Sequence, residues 1–115
     1  MSTILVVDDD RVVAGLAAEI LRAAGHDVHV AHDAPEALAT VERVDVDVLV
    51  TDVVLGSVDG VDLAEAVGRV RPGARVVFMS GYGHTRGAAA PNDPVLGKPF
   101  TPAELRERVA EALGS

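Results

Sequence analysis

Short apolar runs alternate with segments of helical period along this chain, and that alternation decides most of what it can fold into. Thr3–Val7 is a continuous β-branched and aliphatic run, the pattern of a strand covered on both faces. Arg11–Ala24 follows with Val13, Leu16, Ala17, Ile20 and Ala24 on one helical stripe, and Gly25 stands where a helix ends. Asp27–Ala31 reads as a second strand. Pro35–Val44 reads as a helix with its proline in the first turn, where a missing N–H costs nothing. Asp47–Thr51 is a third strand running into Asp52, and Val61–Val70 a helix stopped by Pro72-Gly73. Arg75–Ser80 gives a fourth strand, Pro94–Leu96 a short fifth, and Pro102–Leu113 a last helix opened by Thr101. This β-α rhythm predicts one α/β domain over residues 1–115, a doubly wound five-stranded parallel sheet with helices on both faces. The fourth step is the weakest. His84–Asp93 holds only a short alanine run between Gly87 and Pro91-Asn92-Asp93-Pro94, so a short or irregular fourth helix is expected.

Charge narrows the partners. Eighteen acidic residues against ten basic ones give a formal charge of −8, which repels phosphate backbones and anionic lipid. Direct nucleic-acid or membrane binding is therefore not expected. There are no cysteines, hence no disulfide framework and no thiolate metal site. Asp8-Asp9-Asp10 cuts the first apolar run far short of a signal-peptide core or a membrane span, and a cytoplasmic location is expected. The ten basic residues are nine arginines and a single lysine, Lys98, whose position therefore matters.

In an open parallel sheet, function collects at the carboxyl ends of the strands, near the point where strand order reverses. This chain puts its chemistry there. Asp8, Asp9 and Asp10 follow strand one, Asp52 follows strand three, Ser80 closes strand four and Lys98 follows strand five. If strands one and three are neighbours, Asp8, Asp9 and Asp52 converge. Carboxylates ~4 Å apart repel by about 1 kcal/mol in water and ~4 kcal/mol near a protein surface, so such crowding calls for a proton or a cation. Hard oxygen donors without nearby His or Cys select Mg²⁺. Asp10 is better placed to cap the first helix. His26, His29 and His32 recur every third residue around a strand whose side chains alternate faces, so they cannot present three ligands together. Gly81 and Gly83 fit no phosphate-cradling signature. On the first helix, Ala14, Gly15 and Ala18 extend the apolar surface beyond the core stripe. They are either good helix formers or a docking face for a partner helix bundle.

ILVVDD at Ile4–Asp9, TDVVL at Thr51–Leu55 with Asp59-Gly60 after it, FMSGY at Phe78–Tyr82 and KPF at Lys98–Phe100 together resemble the response-regulator receiver domain. The likeness runs through essentially the whole chain. The SGY and KPF segments are most similar to receivers attached to, or working with, hybrid histidine kinases. The resemblance implies a flavodoxin-like sheet in 2-1-3-4-5 order with five helices. It implies Asp52 as phosphoacceptor, with Asp8, Asp9, Asp52 and the backbone carbonyl of Val54 around Mg²⁺. Lys98 would neutralise the phosphoryl group from the other side, Ser80 would donate its hydroxyl to it, and the Lys98–Pro99 bond would be cis. Val54 and Tyr82 would flank the pocket and tune hydrolysis of the acyl phosphate.

Two departures limit that likeness. Many receivers carry an aromatic three residues before the lysine, where this chain has Val95, which cannot make the aromatic's inward swing. The family's proline after strand three is replaced by Gly56-Ser57, and a more mobile loop is expected. The function implied is a phosphoacceptor switch of a two-component phosphorelay, fed by a histidine kinase or histidine phosphotransfer protein and acting on a downstream target. It is not an enzyme in the turnover sense, although it would catalyse its own phosphorylation and slow dephosphorylation. An irregular fourth helix disfavours the family's common dimer, so a monomer is expected. One alternative is a receiver-like binding module that is never phosphorylated. Another is a Mg²⁺-dependent phosphohydrolase, which would need a second acid two residues beyond Asp52, where Val54 stands.

Overall fold

A computed structural model describes residues 2–56, 58–80 and 95–114. The expected fourth helix and Tyr82 lie outside the described residues. In chain order the elements are β1 (Thr3–Val7), α1 (Arg11–Ala23), β2 (Asp27–Ala31), α2 (Ala34–Arg43) and β3 (Val48–Asp52). There follow β4 (Val54–Leu55), β5 (Val58–Asp59), α3 (Gly60–Val70), β6 (Arg75–Ser80), β7 (Val95–Gly97) and α4 (Pro102–Gly114). The five longer pairing strands form one parallel sheet in the order β2-β1-β3-β6-β7, which is 2-1-3-4-5 counted over that sheet alone. Strand order reverses between β1 and β3, whose register sets Val7 beside Thr51; Thr51 in turn lies beside Phe78.

The uninterrupted apolar strands are explained by what covers them. Ile4 and Val6 of β1 face a cluster with Val48, Val50, Val77 and Met79 beneath α1 and α4, where Leu21, Leu105 and Val109 close over them. Leu5 and Val7 point the other way, joining Leu49 beneath Ala37 and Val41 of α2 and Leu63 and Val67 of α3. Successive strand residues alternate faces, so a strand buried on both must be apolar throughout. Each fully buried Leu, Ile or Val contributes roughly 1.5–3 kcal/mol relative to exposure.

The face that α1 buries differs from the expected stripe. Ala14, Ala17, Ala18, Ile20 and Leu21 are buried, whereas Leu16 is 49% exposed, Val13 is only half-buried and Ala24 is the exposed C-cap. With apolar residues nearly all round the helix, periodicity alone allows more than one inward face. Packing selects the one with small residues: Ala14 and Ala18, one turn apart, let α1 lie close against the sheet and α4. Ala14 and Ala18 are thus core, not outer surface, and the apolar residues left outward are Val12 and Leu16.

Side-chain caps fix where the helices begin. Asp10 accepts from the N–H groups of Val12 and Val13, Asp33 from that of Glu36, and Asp59 from that of Val61. Thr101 and Glu104 cap α4 reciprocally, each side chain accepting from the other's backbone N–H. Gly25, at φ 97°, supplies the left-handed turn after α1.

Candidate functional site

Asp8 continues the β1 ladder by one rung, its N–H donating to the Ala31 carbonyl, and then buries its carboxylate completely. One carboxylate oxygen accepts from the Asp10 N–H at 2.9 Å, and the other from the Lys98 ammonium at 2.7 Å. Asp52 ends β3, partly buried, and its Oδ2 accepts from the same ammonium at 3.0 Å. Asp9 is exposed beside them. One carboxylate oxygen from each of Asp8, Asp9 and Asp52 lies within 4.8 Å of the others. Lys98 follows β7, where its backbone N–H donates to the Ser80 carbonyl at 2.7 Å and its bond to Pro99 is cis. Residues up to ninety positions apart thus meet at the carboxyl ends of β1, β3 and β7.

Burial pushes the Asp8 carboxyl above the ordinary aspartate range, and the nearby charge of Asp52 adds to the rise. The hydrogen bonds from Lys98 and the Asp10 N–H work against it without cancelling it. For Lys98, burial is the largest single influence and acts downward, but the hydrogen bonds it donates to Asp8 and Asp52, with the negative charges of both carboxylates, together outweigh it. Its pKa is raised, so it is an ammonium at neutral pH. A buried carboxylate that resists ionisation, next to two more carboxylates, is a place where a hard cation is welcome. The donor set of oxygens alone suits Mg²⁺, which takes few protein carboxylates and keeps water in its remaining positions.

The other residues singled out from sequence fall around this cluster to differing degrees. Ser80 is buried at the end of β6, one residue beyond Met79, the β-sheet partner of Asp52. Val95 pairs with Phe78 at the start of β7 and is half-buried. Val54 is 42% exposed, and Asp10 caps α1 with its side chain while its N–H holds the Asp8 carboxylate. Of the histidines, His29 pairs with Asp27 at 3.5 Å, while His32 sets its Nδ1 3.2 Å from the backbone carbonyl of Asp8. That contact joins positions 24 apart, which no local pattern reveals.

The segment between β3 and α3 holds a feature the sequence reading did not anticipate. Val54 pairs with Asp59 and Leu55 with Val58 in a small antiparallel hairpin, turned at Gly56 with φ 62°. A proline, fixed near −65°, cannot take that conformation, so the glycine serves the hairpin. Where the sequence suggested only a looser loop, Gly56 has a defined part beside the cluster, its absent Cβ pointing within 4.0 Å of Asp9 Oδ2. Gly60 is constrained in another way. A Cβ there would overlap the carbonyl oxygen of Asp52, while its N–H donates to the Val53 carbonyl at 2.6 Å. Glycine lets the start of α3 lie directly against the backbone that carries Asp52.

An open parallel sheet with an acid cluster and one ammonium at its switch point defines a flavodoxin-like α/β domain with a cation-seeking, anion-accepting pocket. The model of the response regulator receiver domain matches residues 4–110, and the chain belongs to that family. It is 33% identical over 118 residues to the sensor kinase CckA of Brucella abortus, covering 97% of this chain and 12% of that protein. It is also 33% identical over 110 residues to the transcriptional regulatory protein TrcR of Mycobacterium tuberculosis, covering 92% of this chain and 43% of that one. The chain therefore spans less than half the length of these two relatives. Among solved structures, a CheY-like response regulator receiver domain protein from Methanospirillum hungatei superposes with a TM-score of 0.86. That pair is 30% identical, and the match covers 99% of this chain and 94% of the other. No helix among the described residues is long and apolar enough to cross a membrane.

Proposed function

We propose that this chain is a phosphoacceptor switch: Asp52 takes a phosphoryl group from a phosphohistidine on a histidine kinase or histidine phosphotransfer protein. The observation that carries this reading is the convergence of three carboxylates within 4.8 Å with Lys98 bridging Asp8 and Asp52. An Asp52 carboxylate oxygen forms the new P–O bond as the P–N bond to the donor imidazole breaks, and that imidazole leaves with the bonding pair and takes up a proton. The transition state is loose, so positioning and charge neutralisation carry most of the catalysis. Asp8, Asp9, Asp52 and the Val54 carbonyl would hold Mg²⁺, which when bound supplies charge neutralisation at the phosphoryl oxygens. Lys98 supplies a mobile positive charge on the other side, and Ser80 a hydroxyl to a phosphoryl oxygen. Intact-mass measurement after treatment with acetyl phosphate tests the reading. One phosphoryl adduct is expected with Mg²⁺ and little without; no adduct in either case overturns it.

The phosphohydrolase alternative finds no second acid two residues beyond Asp52, since Val54 stands there and is partly solvent-exposed. That same residue bears on lifetime. Its apolar side chain gives an attacking water no hydrogen bond, so the acyl phosphate should be comparatively long-lived. Val54→Asn should speed its loss by about three- to tenfold, the worth of one well-placed hydrogen bond. Decay of the isolated phosphoprotein checks this, and an equal or slower loss in the variant counts against it.

Recognition of the donor falls to α1, whose first turn adjoins the acid cluster. Val12 is 79% and Leu16 49% exposed, four residues apart on one face, and such a pair suits the apolar side of a helix bundle. Ala18, being core, is the wrong place to test it. Leu16→Glu should slow transfer from a protein donor about tenfold or more while leaving acetyl phosphate as effective as before. Equal loss with both donors would rule the surface out. In this reading the domain acts in the cytoplasm as a monomer and signals by docking, without touching nucleic acid itself.

A further inference from the structure

We propose that His32 is a positioning residue for the acid cluster, holding through its ring the peptide that joins Asp8 to Asp9. The inference rests on the reading of that cluster as a Mg²⁺ site. In the parallel pairing of β1 with β2, the last rung is the Asp8 N–H donating to the Ala31 carbonyl at 3.2 Å. The next rung would need the Asp33 N–H opposite the Asp8 carbonyl. Asp33 instead turns out of the sheet as the N-cap of α2, its carboxylate accepting from the Glu36 N–H at 2.8 Å. The ring of His32 stands in for the missing rung, with Nδ1 3.2 Å from the Asp8 carbonyl. A carbonyl oxygen only accepts, so Nδ1 carries the proton in this contact.

The ring is itself well anchored. The His32 N–H donates to Glu36 Oε1 at 2.7 Å, so the backbone that carries the imidazole is tied to the first turn of α2. The carboxylate of Asp8 is held independently by the Asp10 N–H and by Lys98. His32 adds the third restraint, on the main chain. Its consequence falls on Asp9 as much as on Asp8, because the Asp8 carbonyl belongs to the peptide plane that sets the Asp9 Cα and hence the exposed carboxylate. Among the described residues, no hydrogen bond or ion pair holds the Asp9 side chain in place, so its aim toward the cluster depends on that plane.

The test compares the full chain with His32→Ala, His32→Asn and His32→Gln by calorimetric titration with Mg²⁺ alone, alongside urea unfolding without the ion. Asn places an amide N–H close to where Nδ1 stands, whereas Gln carries it one bond too far. His32→Ala should bind Mg²⁺ about three- to tenfold more weakly, the scale of one neutral hydrogen bond, with Gln alike and Asn within about twofold of wild type. Unfolding midpoints should not follow that ranking. Affinity unchanged in the Ala variant, or Asn as weak as Ala, overturns the role of His32 while leaving the site intact. A wild-type chain that binds no Mg²⁺ overturns the reading of the site itself.

Discussion

Replacement of Asp52 by Asn is expected to reduce phosphate incorporation from acetyl phosphate at least about a hundredfold, as loss of the attacking group does in other group-transfer sites. The amide matches the carboxylate in shape and keeps an oxygen for Lys98 to donate to, at the place where Asp52 Oδ2 now accepts at 3.0 Å. What it loses is the anionic oxygen proposed to form the new bond. The variant should therefore fold as the parent does, with its melting temperature within a few degrees, about 4–8 °C corresponding to 1 kcal/mol in a domain of this size. Its Mg²⁺ affinity should fall, because one of the three charges drawing the ion is gone. Intact mass, peptide mapping and thermal melting of the same samples separate these effects. A full adduct on the variant, mapped to Asp8 or Asp9, would show that the wrong carboxylate has been assigned.

Sequence alone carried the strands well and the surfaces badly, for a physical reason. A strand buried on both faces must be apolar at every position, so Ile4–Val7 or Val48–Val50 admits little else. A helix as apolar as α1 leaves its inward face undetermined until its neighbours are known, which is why its periodicity points Leu16 inward and Ala18 outward, the reverse of what packing selects. The hairpin after β3 did leave a signal. Val54-Leu55 and Val58-Asp59 flank a two-residue connection with glycine first, a pattern that favours a tight turn with positive φ. Reading Gly56 only as a missing proline hid it. The acid cluster was legible because four separate strand ends offered carboxylates, hydroxyl or ammonium in a fold that gathers such ends. The part played by His32 was not, since it depends on where β2 stops pairing and α2 begins.

Removing the ammonium should have effects of opposite sign on ion binding and on transfer. Lys98 donates to Asp8 at 2.7 Å and to Asp52 at 3.0 Å, standing where it competes with any cation for the same oxygens. Lys98→Met keeps the length and packing of the stem but leaves a wholly buried Asp8 with the Asp10 N–H as its remaining donor among the described residues. Breaking a buried pair typically costs 3–5 kcal/mol; with the Lys98 side chain 20% and that of Asp52 14% exposed, solvent screening brings the expected loss to about 2 kcal/mol. The pH dependence follows from the direction of each shift. Lys98, raised above 10.5, stabilises the wild-type fold throughout the neutral range and ceases to do so only as pH rises through its folded value. Asp8, raised above 3.8, favours the fold when protonated and costs stability once pH rises past its folded value. Without Lys98 that cost grows, so the deficit of the variant should be large near neutrality and narrow on acidification. Added Mg²⁺ should restore much of the loss, and bind about tenfold or more tightly than in wild type, because a repelling unit charge a few ångströms away has gone. Phosphoryl transfer should nevertheless fall by about 10²–10³-fold, the usual consequence of losing one preorganised positive partner at a developing charge. Calorimetry and single-turnover kinetics on the same preparation decide the matter: weaker Mg²⁺ binding in the variant, or transfer at the wild-type rate, would mean that Lys98 is neither the ion's competitor nor the phosphoryl group's partner.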